Sequence, residues 1–148
     1  MGNGNAANLF ALVAGAAYAL IGVIGFAVTG FEGVTQNGPD DLLGFDLNPF
    51  HNVVHLAIGL GFIAASRLDP TLCQGIVIGG GLVYILAALL GFLNELQILS
   101  INDEVAADNF LHLVSGSAAV LFGLIGARQT DARFSSGGRG GRGGARRA

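Results

Sequence analysis

The chain has little charge and lacks several residue types that soluble domains use. Only 11% of its 148 residues are charged, whereas soluble proteins carry about 25%. It has no lysine, no tryptophan and three prolines, and a single cysteine, Cys73, excludes an internal disulfide and a multi-cysteine zinc site. Hydrophobic residues make up 52%, and the mean hydropathy is +0.64. This composition predicts a protein that lives in a lipid bilayer.

Four long apolar segments predict an all-α membrane protein, a bundle of four transmembrane helices. A spanning helix needs about 20 apolar residues, because the hydrocarbon core is about 30 Å thick and a helix rises about 1.5 Å per residue. The segments run from about Asn8 to Thr29, Pro49 to Ser66, Leu72 to Asn94 and Ala107 to Ala127. Since residues 1–8 carry no basic region, we expect the first segment to be retained rather than cleaved as a signal peptide.

Charge is segregated between the two ends of the predicted bundle. Arg67 lies between spans two and three, and the other six arginines follow span four: Arg128, Arg133, Arg139, Arg142, Arg146 and Arg147. The two opposite loops carry eight acidic residues and no arginine. Because positively charged flanks stay on the cytoplasmic side, both termini are predicted to be cytoplasmic, in a bacterial inner (plasma) membrane.

The end of the chain, SSGGRGGRGGARRA at residues 135–148, is too poor in apolar groups to fold alone. We expect a disordered cytoplasmic tail after a membrane domain of residues 1–134. RGG repeats elsewhere bind nucleic acid, but a short basic tail beside a last span more simply contacts anionic lipids. The six arginines after span four are therefore predicted to lie at the membrane surface, and nucleic acid is not expected as a partner.

Small residues recur at every fourth position in each span, which lets helix backbones approach closely. The positions predicted to pack helices together include five glycines: Gly15, Gly61, Gly75, Gly79 and Gly123. This pattern indicates a compact bundle that packs in a homo-oligomer or in a larger membrane complex.

The two halves of the chain match each other. Residues 15–26 match residues 81–92, 66 positions further on, and the match aligns the only two tyrosines. The pattern N-x-x-H-L-x-x-G occurs at residues 52–59 and again, 57 positions further on, at residues 109–116. The match predicts that spans three and four duplicate the hairpin of spans one and two as a parallel repeat.

The paired sequences NPFHNVVHLAIG and DNFLHLVSG, in a four-span chain of this length, resemble an uncharacterised family of small bacterial integral membrane proteins, a domain of unknown function. The resemblance covers roughly residues 8–127. It implies four spans with two signatures, Asn52 with His55 and Asn109 with His112, and it implies no activity or cofactor.

Three histidines are the candidate functional residues, because ionisable side chains inside a membrane are costly. His51 and His55 lie one turn apart on a helix that we expect Asn48 to cap. Span four starts near Asp108, so His112 is expected at a similar depth, and the repeat axis brings it toward His55 across the bundle.

Two main interpretations of these histidines remain open, and pH sensing or proton transfer is a third. In one, they ligate a haem or a transition metal near the external surface, with Asp108 or Glu95 as a carboxylate neighbour. Asn52 and Asn109 would then orient the rings. In the other, each histidine bonds an asparagine or a backbone group of a neighbouring helix and locks the bundle.

These observations lead to one main functional hypothesis and two alternatives. The main hypothesis is a non-enzymatic structural or accessory subunit without a cofactor, because no nucleophile paired with a base is visible. The alternative is a haem-binding or metal-binding redox protein that uses His51, His55 and His112. The further alternative is a small oligomeric transporter, although the middle of each span offers few polar groups for a transport pathway. Tyr18 and Tyr84 are the main exceptions, and we expect them to be core or helix-contact residues.

Overall fold

The chain folds into four helices in the computed structural model, which describes residues 4–37 and 41–140, with side chains described as far as residue 135. The helices are α1 (Ala6–Thr29), α2 (Pro49–Ala65), α3 (Pro70–Phe92) and α4 (Ala107–Gly140). The loops hold two short antiparallel strands, β1 (Asp41–Leu42) and β2 (Phe45–Asp46), and a 3-10 helix (Gln97–Leu99).

Three of the helices are long and apolar enough to cross a membrane: α1, α3, and α4 as far as Ser135. Helix α2 is also apolar but shorter, at 17 residues. The prediction of an all-helical membrane protein is therefore confirmed.

The start of α2 is set by its sequence. The side chain of Asn48 accepts a hydrogen bond from the backbone N–H of His51 at 2.8 Å, and Pro49 occupies the first turn. Both are typical of helix starts, because they satisfy or remove backbone donors that have no partner within the helix. The predicted cap at Asn48 is confirmed, and it places His51 and His55 in the first two turns of α2.

The helices pack as two close pairs, α1 with α2 and α3 with α4, whose backbones meet at glycines. A Cβ atom at Gly15 would lie 2.8 Å from the carbonyl oxygen of Gly59, and one at Gly81 would lie 2.7 Å from that of Gly116. Real Cβ contacts are essentially never this short, so these crossings require glycine. Helix α1 also contacts α3 and α4, whereas α2 and α3 make few contacts with each other.

The five glycines predicted to pack helices together divide into two groups. Gly15 lies at the crossing of α1 and α2, and a Cβ at Gly123 would collide with Ile78 of α3. The remaining three have no atom within 4 Å of the Cβ position: Gly61, Gly75 and Gly79. Among the described residues, no helix packs closely against these three glycines, so their role in helix packing stays a prediction.

Helix α4 continues beyond its predicted end. The span was expected to end at Ala127 and the tail to be disordered from residue 135, but α4 runs to Gly140. Beyond Ala127, α4 still contacts the start of α1, because the backbone N–H of Ala6 donates a hydrogen bond to Oε1 of Gln129 at 2.9 Å. Residues 141–148 lie outside the described residues, and with them the membrane-surface prediction for Arg142, Arg146 and Arg147.

The two ends of the bundle have different interiors. We define the loop end as the end at which residues 31–37, 41–48 and 93–106 lie. Toward the opposite end, a hydrophobic core contains Ala7, Ala11, Phe62, Cys73, Val77 and Ala119, and the buried polar residues Asn5, Asn8 and Gln74 lie beside it. At the loop end, the buried residues are mostly polar, and they include His51, Asn52, His55, Asp108, Asn109 and His112. The candidate site therefore lies inside the loop end.

Candidate functional site: a buried histidine cluster

The three imidazoles of His51, His55 and His112 converge inside the loop end, and we call them the histidine cluster. One ring nitrogen of each lies within 4.8 Å of those of the other two. The Nε2 atoms of His51 and His55 are 2.8 Å apart and share a hydrogen bond. The exposed fractions of the three residues are 1%, 3% and 4%. The predicted approach of His112 on α4 to His55 on α2 is confirmed.

A buried carboxylate adjoins the histidine cluster. Asp108, in the first turn of α4, is only 3% exposed, and its Oδ1 atom lies 3.8 Å from Nε2 of His51. Asp46 on β2 is close enough for its charge to act on Asp108. Glu95, the other predicted carboxylate neighbour, is exposed. The site therefore combines three imidazoles with the one carboxylate that α4 carries into the interior.

The protein alone does not satisfy the hydrogen-bonding capacity of these rings. When both rings are neutral, a bond between the Nε2 atoms of His51 and His55 holds one hydrogen, and the accepting ring carries its own hydrogen on Nδ1. The Nδ1 atoms of His55 and His112 are buried and have no hydrogen-bond partner in the part of the chain that the structure describes. Each unsatisfied group costs about 1–3 kcal/mol, and three other buried atoms at this end also have no partner among the described residues: Oδ1 of Asn52, Oδ1 of Asn109 and Oγ of Ser100.

The two signature asparagines do not bond the histidines. Asn52 donates through Nδ2 to the hydroxyl of Thr29 at 2.9 Å, and Asn109 donates to the carbonyls of Asp103 and Glu104 at 3.1 Å each. Among the described residues, no hydrogen bond joins either amide to an imidazole. Both the ring-orienting role and the bundle-locking role through asparagine are therefore wrong.

The physical reason is the direction in which each asparagine side chain points. A Cβ atom at Gly25 would collide with the amide of Asn52, and one at Gly91 would collide with that of Asn109. Each asparagine therefore lies against the backbone of the partner helix in its own hairpin, whereas the histidine three positions later faces the centre of the bundle.

Both tyrosines of the chain lie next to the histidine cluster. The ring centroid of Tyr18 is 5.4 Å from that of His55, the centroid of Tyr84 is 5.1 Å from that of His112, and the two tyrosine rings are 5.1 Å apart. Sequence reasoning treated them as core residues and missed their place at the site. The sequence feature that could have indicated this is the repeat, in which each tyrosine follows an aligned glycine, Gly15 or Gly81, by three residues.

Residues of both loops pack at this end of the bundle. Leu47 and Ile101, one from each loop, are 3% and 1% exposed. Asn48 joins the loops by donating through Nδ2 to the carbonyl of Ile98 at 3.0 Å. His51 lies against the backbone of Leu99. These contacts pack parts of both loops against the histidine cluster, beside a cavity that loop residues line together with His55 and Asp108.

Two small cavities flank the histidine cluster. One, of about 140 Å³, is lined by all three histidines together with residues that include Tyr84 and Leu99. The other, of about 110 Å³, is lined by residues that include His55, Asp108 and Phe45. The imidazoles therefore have free space on two sides.

The helices and this site define the class, an all-helical membrane protein with three buried histidines that could hold a metal ion. The chain belongs to the family described as a domain of unknown function, DUF4383, which matches residues 8–125. No curated protein and no solved structure matches the chain. The matched range contains the three histidines, Asp108 and both tyrosines, and the family description names no activity for them.

Proposed function

We propose that this chain is a non-enzymatic integral membrane protein that binds one transition-metal ion at the histidine cluster. The observation that carries the proposal is the convergence of three buried imidazoles, with the buried carboxylate of Asp108 beside the imidazole of His51. The ligands would be Nε2 of His51, Nε2 of His55, one ring nitrogen of His112 and Oδ1 of Asp108. Imidazole and carboxylate together suit zinc, and imidazole also suits copper, iron and nickel.

The spacing of these atoms is close to what a tetrahedral ion needs. Bonds of about 2.0–2.1 Å place neighbouring ligand atoms about 3.3 Å apart. The distance between the Nε2 atoms of His51 and His55 is 2.8 Å, and that from Nε2 of His51 to Oδ1 of Asp108 is 3.8 Å. Each of these two distances differs from the tetrahedral spacing by about half an ångström. His112 needs a larger adjustment of its ring, which the adjoining cavity allows.

The size of the cavities favours an ion over a haem. Sites for organic cofactors occupy about 300–1,000 Å³. The cavities beside the imidazoles measure about 140 and 110 Å³. Two axial histidines must also approach a haem from opposite faces, whereas the imidazoles of His51, His55 and His112 converge on one point.

Electrostatics support the same assignment. A divalent ion inside a bundle needs compensating charge, because burying a charge in apolar surroundings is costly. An ion would bind the ionised form of Asp108, which would contribute one negative charge within the site, and Asp46 on β2 is a second acidic residue near Asp108. The neutral imidazoles add donor atoms without adding repulsion.

We further propose that the chain crosses a bacterial plasma membrane four times, with both termini in the cytoplasm. Helix α2 measures about 25 Å at about 1.5 Å per residue, which approaches the thickness of the hydrocarbon core. The segregation of arginine supports the orientation. The histidine cluster then lies near the external surface, and assembly into a homo-oligomer or larger complex stays a prediction.

Paired contacts support an origin by duplication. The Gly15–Gly59 crossing of α1 and α2 corresponds to the Gly81–Gly116 crossing of α3 and α4. The contact of Asn52 with Gly25 likewise corresponds to that of Asn109 with Gly91. We infer that duplication of one hairpin gave each half the histidine of its N-x-x-H pattern, and that Asp108 stands in the second half at the position of His51 in the first.

Metal analysis of purified protein tests the proposed function. The full chain is purified in mild detergent with a tag that contains no histidine, and its metal content is measured by mass spectrometry. We expect about one ion per chain in the wild type, and loss of the ion in His112→Ala, because the site loses one of its three imidazoles.

Cys73→Ser is the matched control, because it removes the only thiol of the chain and lies in the apolar core. It should keep the ion. A wild-type protein that is free of metal and binds neither zinc nor cobalt in titration would contradict the proposal, as would equal metal content in His112→Ala.

A further inference from the structure

The chain joins its two hairpins at one end of the bundle only. We call α1 with α2 the first hairpin and α3 with α4 the second hairpin. The turn of residues 66–69 connects α2 to α3 at the end opposite the loop end, and each of the two loops connects helices of the same hairpin. At the loop end, the two hairpins are therefore held together by non-covalent contacts alone.

The opposite end is packed directly. Nδ2 of Asn5, at the start of α1, donates hydrogen bonds to the carbonyl of Gly126 and to the hydroxyl of Thr130 on α4, at 3.1 Å each. The rings of Phe10 and Phe122 stack between the same two helices, with centroids 5.2 Å apart. These contacts hold the two hairpins together at this end without a ligand.

Contacts between the hairpins are sparser at the loop end. Among the described residues, α2 has few backbone contacts with α3 and hardly any with α4. Two hydrogen bonds join the loops: Nδ2 of Asn37 donates to Oδ1 of Asn102 at 2.8 Å, and Asn48 donates to the carbonyl of Ile98. The first is exposed, so water competes for the same groups and its net contribution is small. Deeper in the bundle, the two tyrosine rings meet across the hairpins.

The four proposed ligands are divided between the hairpins. His51 and His55 lie on α2, and Asp108 and His112 lie on α4. An ion bound to all four would bond two helices that otherwise hardly touch. We propose that the ion links the hairpins, and that its release opens the loop end while the opposite end stays packed. This inference rests on the proposed function.

Buried polar groups favour this opening once the ion has left. The Nδ1 atoms of His55 and His112 have no hydrogen-bond partner among the described residues, and the atoms that held the ion lose theirs. Buried polar atoms without partners are costly, and separation of α2 from α4 admits water to them. Because cavities already flank the three imidazoles, the separation breaks few apolar contacts there.

The opening would change the external surface of the protein. Each loop belongs to a different hairpin, so opening moves residues 31–37 and 41–48 relative to residues 93–106. An ion that binds only the closed arrangement shifts the bundle toward that arrangement. Metal binding would therefore regulate the surface that both loops present in the proposed orientation.

Distances between spin labels on the two hairpins test the proposal. The labels are attached to pairs of cysteines in the Cys73→Ser background, and the full chain in lipid nanodiscs is measured by double electron–electron resonance. Val53→Cys with Phe110→Cys reports on α2 and α4 at the loop end. Val13→Cys with Leu124→Cys reports on α1 and α4 at the opposite end. All four labelled side chains are exposed, so the labels should not disturb the core.

We expect the zinc-bound protein to give one narrow distance distribution for each pair. Excess chelator should lengthen the loop-end distance by at least about 3 Å, the width of a water molecule, and leave the opposite-end distance unchanged. In His112→Ala, the loop-end distance should already be long and should not respond to zinc. An unchanged opposite-end distance shows that this variant is folded.

The zinc content of the same samples, measured by mass spectrometry, separates this inference from the proposed function. Bound zinc with the same loop-end distance before and after chelation overturns the link between the hairpins alone. Equal lengthening at both ends also overturns it, because the opposite end would then not stay packed. Absence of bound zinc before chelation overturns the proposed function and this inference together.

Discussion

Substitution of Gly116 by alanine should destabilise the bundle and weaken its metal site together. Gly116 lies at the crossing of α3 and α4, four residues after His112 on the same helix. A Cβ atom at this position would lie 2.7 Å from the carbonyl oxygen of Gly81, 2.9 Å from the backbone nitrogen of Ile85 and 3.0 Å from its Cγ1 atom. Two of these three atoms are backbone, so no change of rotamer relieves the overlap.

The size of the effect follows from these distances. Favourable contacts between heavy atoms lie at about 3.5–4.0 Å, so α4 must move away from α3 by about 0.8 Å near the crossing. Overpacking of this kind costs about 1–3 kcal/mol. Because His112 lies one turn along α4, the same displacement carries its ring away from His51 and His55. Metal affinity should therefore fall along with the free energy of unfolding.

Gly79→Ala is the matched control. It makes the same change in α3 at a position where no atom lies within 4 Å of the new Cβ. Alanine is favoured over glycine in a helix by about 1 kcal/mol, so this variant should be at least as stable as the wild type.

Thermal unfolding in detergent, followed by circular dichroism, compares the two variants, and zinc titration of the folded proteins gives their affinities. Gly116→Ala should unfold at a lower temperature than Gly79→Ala and bind zinc more weakly. Equal unfolding temperatures would refute the argument that this crossing requires glycine. A lower unfolding temperature with unchanged zinc affinity would refute the coupling of the crossing to the site.

Two further predictions concern the metal site. Asp108→Asn should weaken zinc affinity by about 10- to 100-fold, because it removes the negative charge beside His51. Glu95→Gln, which changes an exposed carboxylate, should leave the zinc affinity unchanged in the same titration. Equal zinc affinities of Asp108→Asn and the wild type would exclude Asp108 from the site. Zinc at 100 times its dissociation constant should raise the free energy of unfolding of the wild type by about 2.7 kcal/mol, measured by thermal unfolding. Excess chelator should reverse this stabilisation. Stabilisation of the same size in His112→Ala would place the zinc site elsewhere.

Much of the architecture was predictable because hydropathy, cap residues and charge act locally. Long apolar runs predicted helices near the observed bounds of α1 and α3, and Asn48 with Pro49 marked the start of α2. The extent of α4 was not predictable in this way. The bonds beyond Ala127, such as that from Ala6 to Gln129, join residues at opposite ends of the sequence.

The candidate site was predictable in part. The repeated N-x-x-H-L-x-x-G pattern set His55 and His112 at similar depths, so their approach could be expected. Which of Asp108 and Glu95 lies beside the histidines could not be predicted, because this depends on which side of each loop and helix faces the interior. The same holds for Tyr18 and Tyr84, whose rings reach the histidines only after the helices have docked.

The sequence by itself determined the helical segments, the membrane environment and the identity of the three histidines, because each depends on residue type and on spacing along one chain. The tertiary structure decided which glycines are crossings and which are open surface. A stripe of small residues specifies that a helix can be approached closely, but not from which side. That side is decided by the mutual fit of α1 on α2 and of α3 on α4. The rotation of each helix about its axis that this fit sets also directs Asn52 and Asn109 toward glycines and the three histidines toward each other.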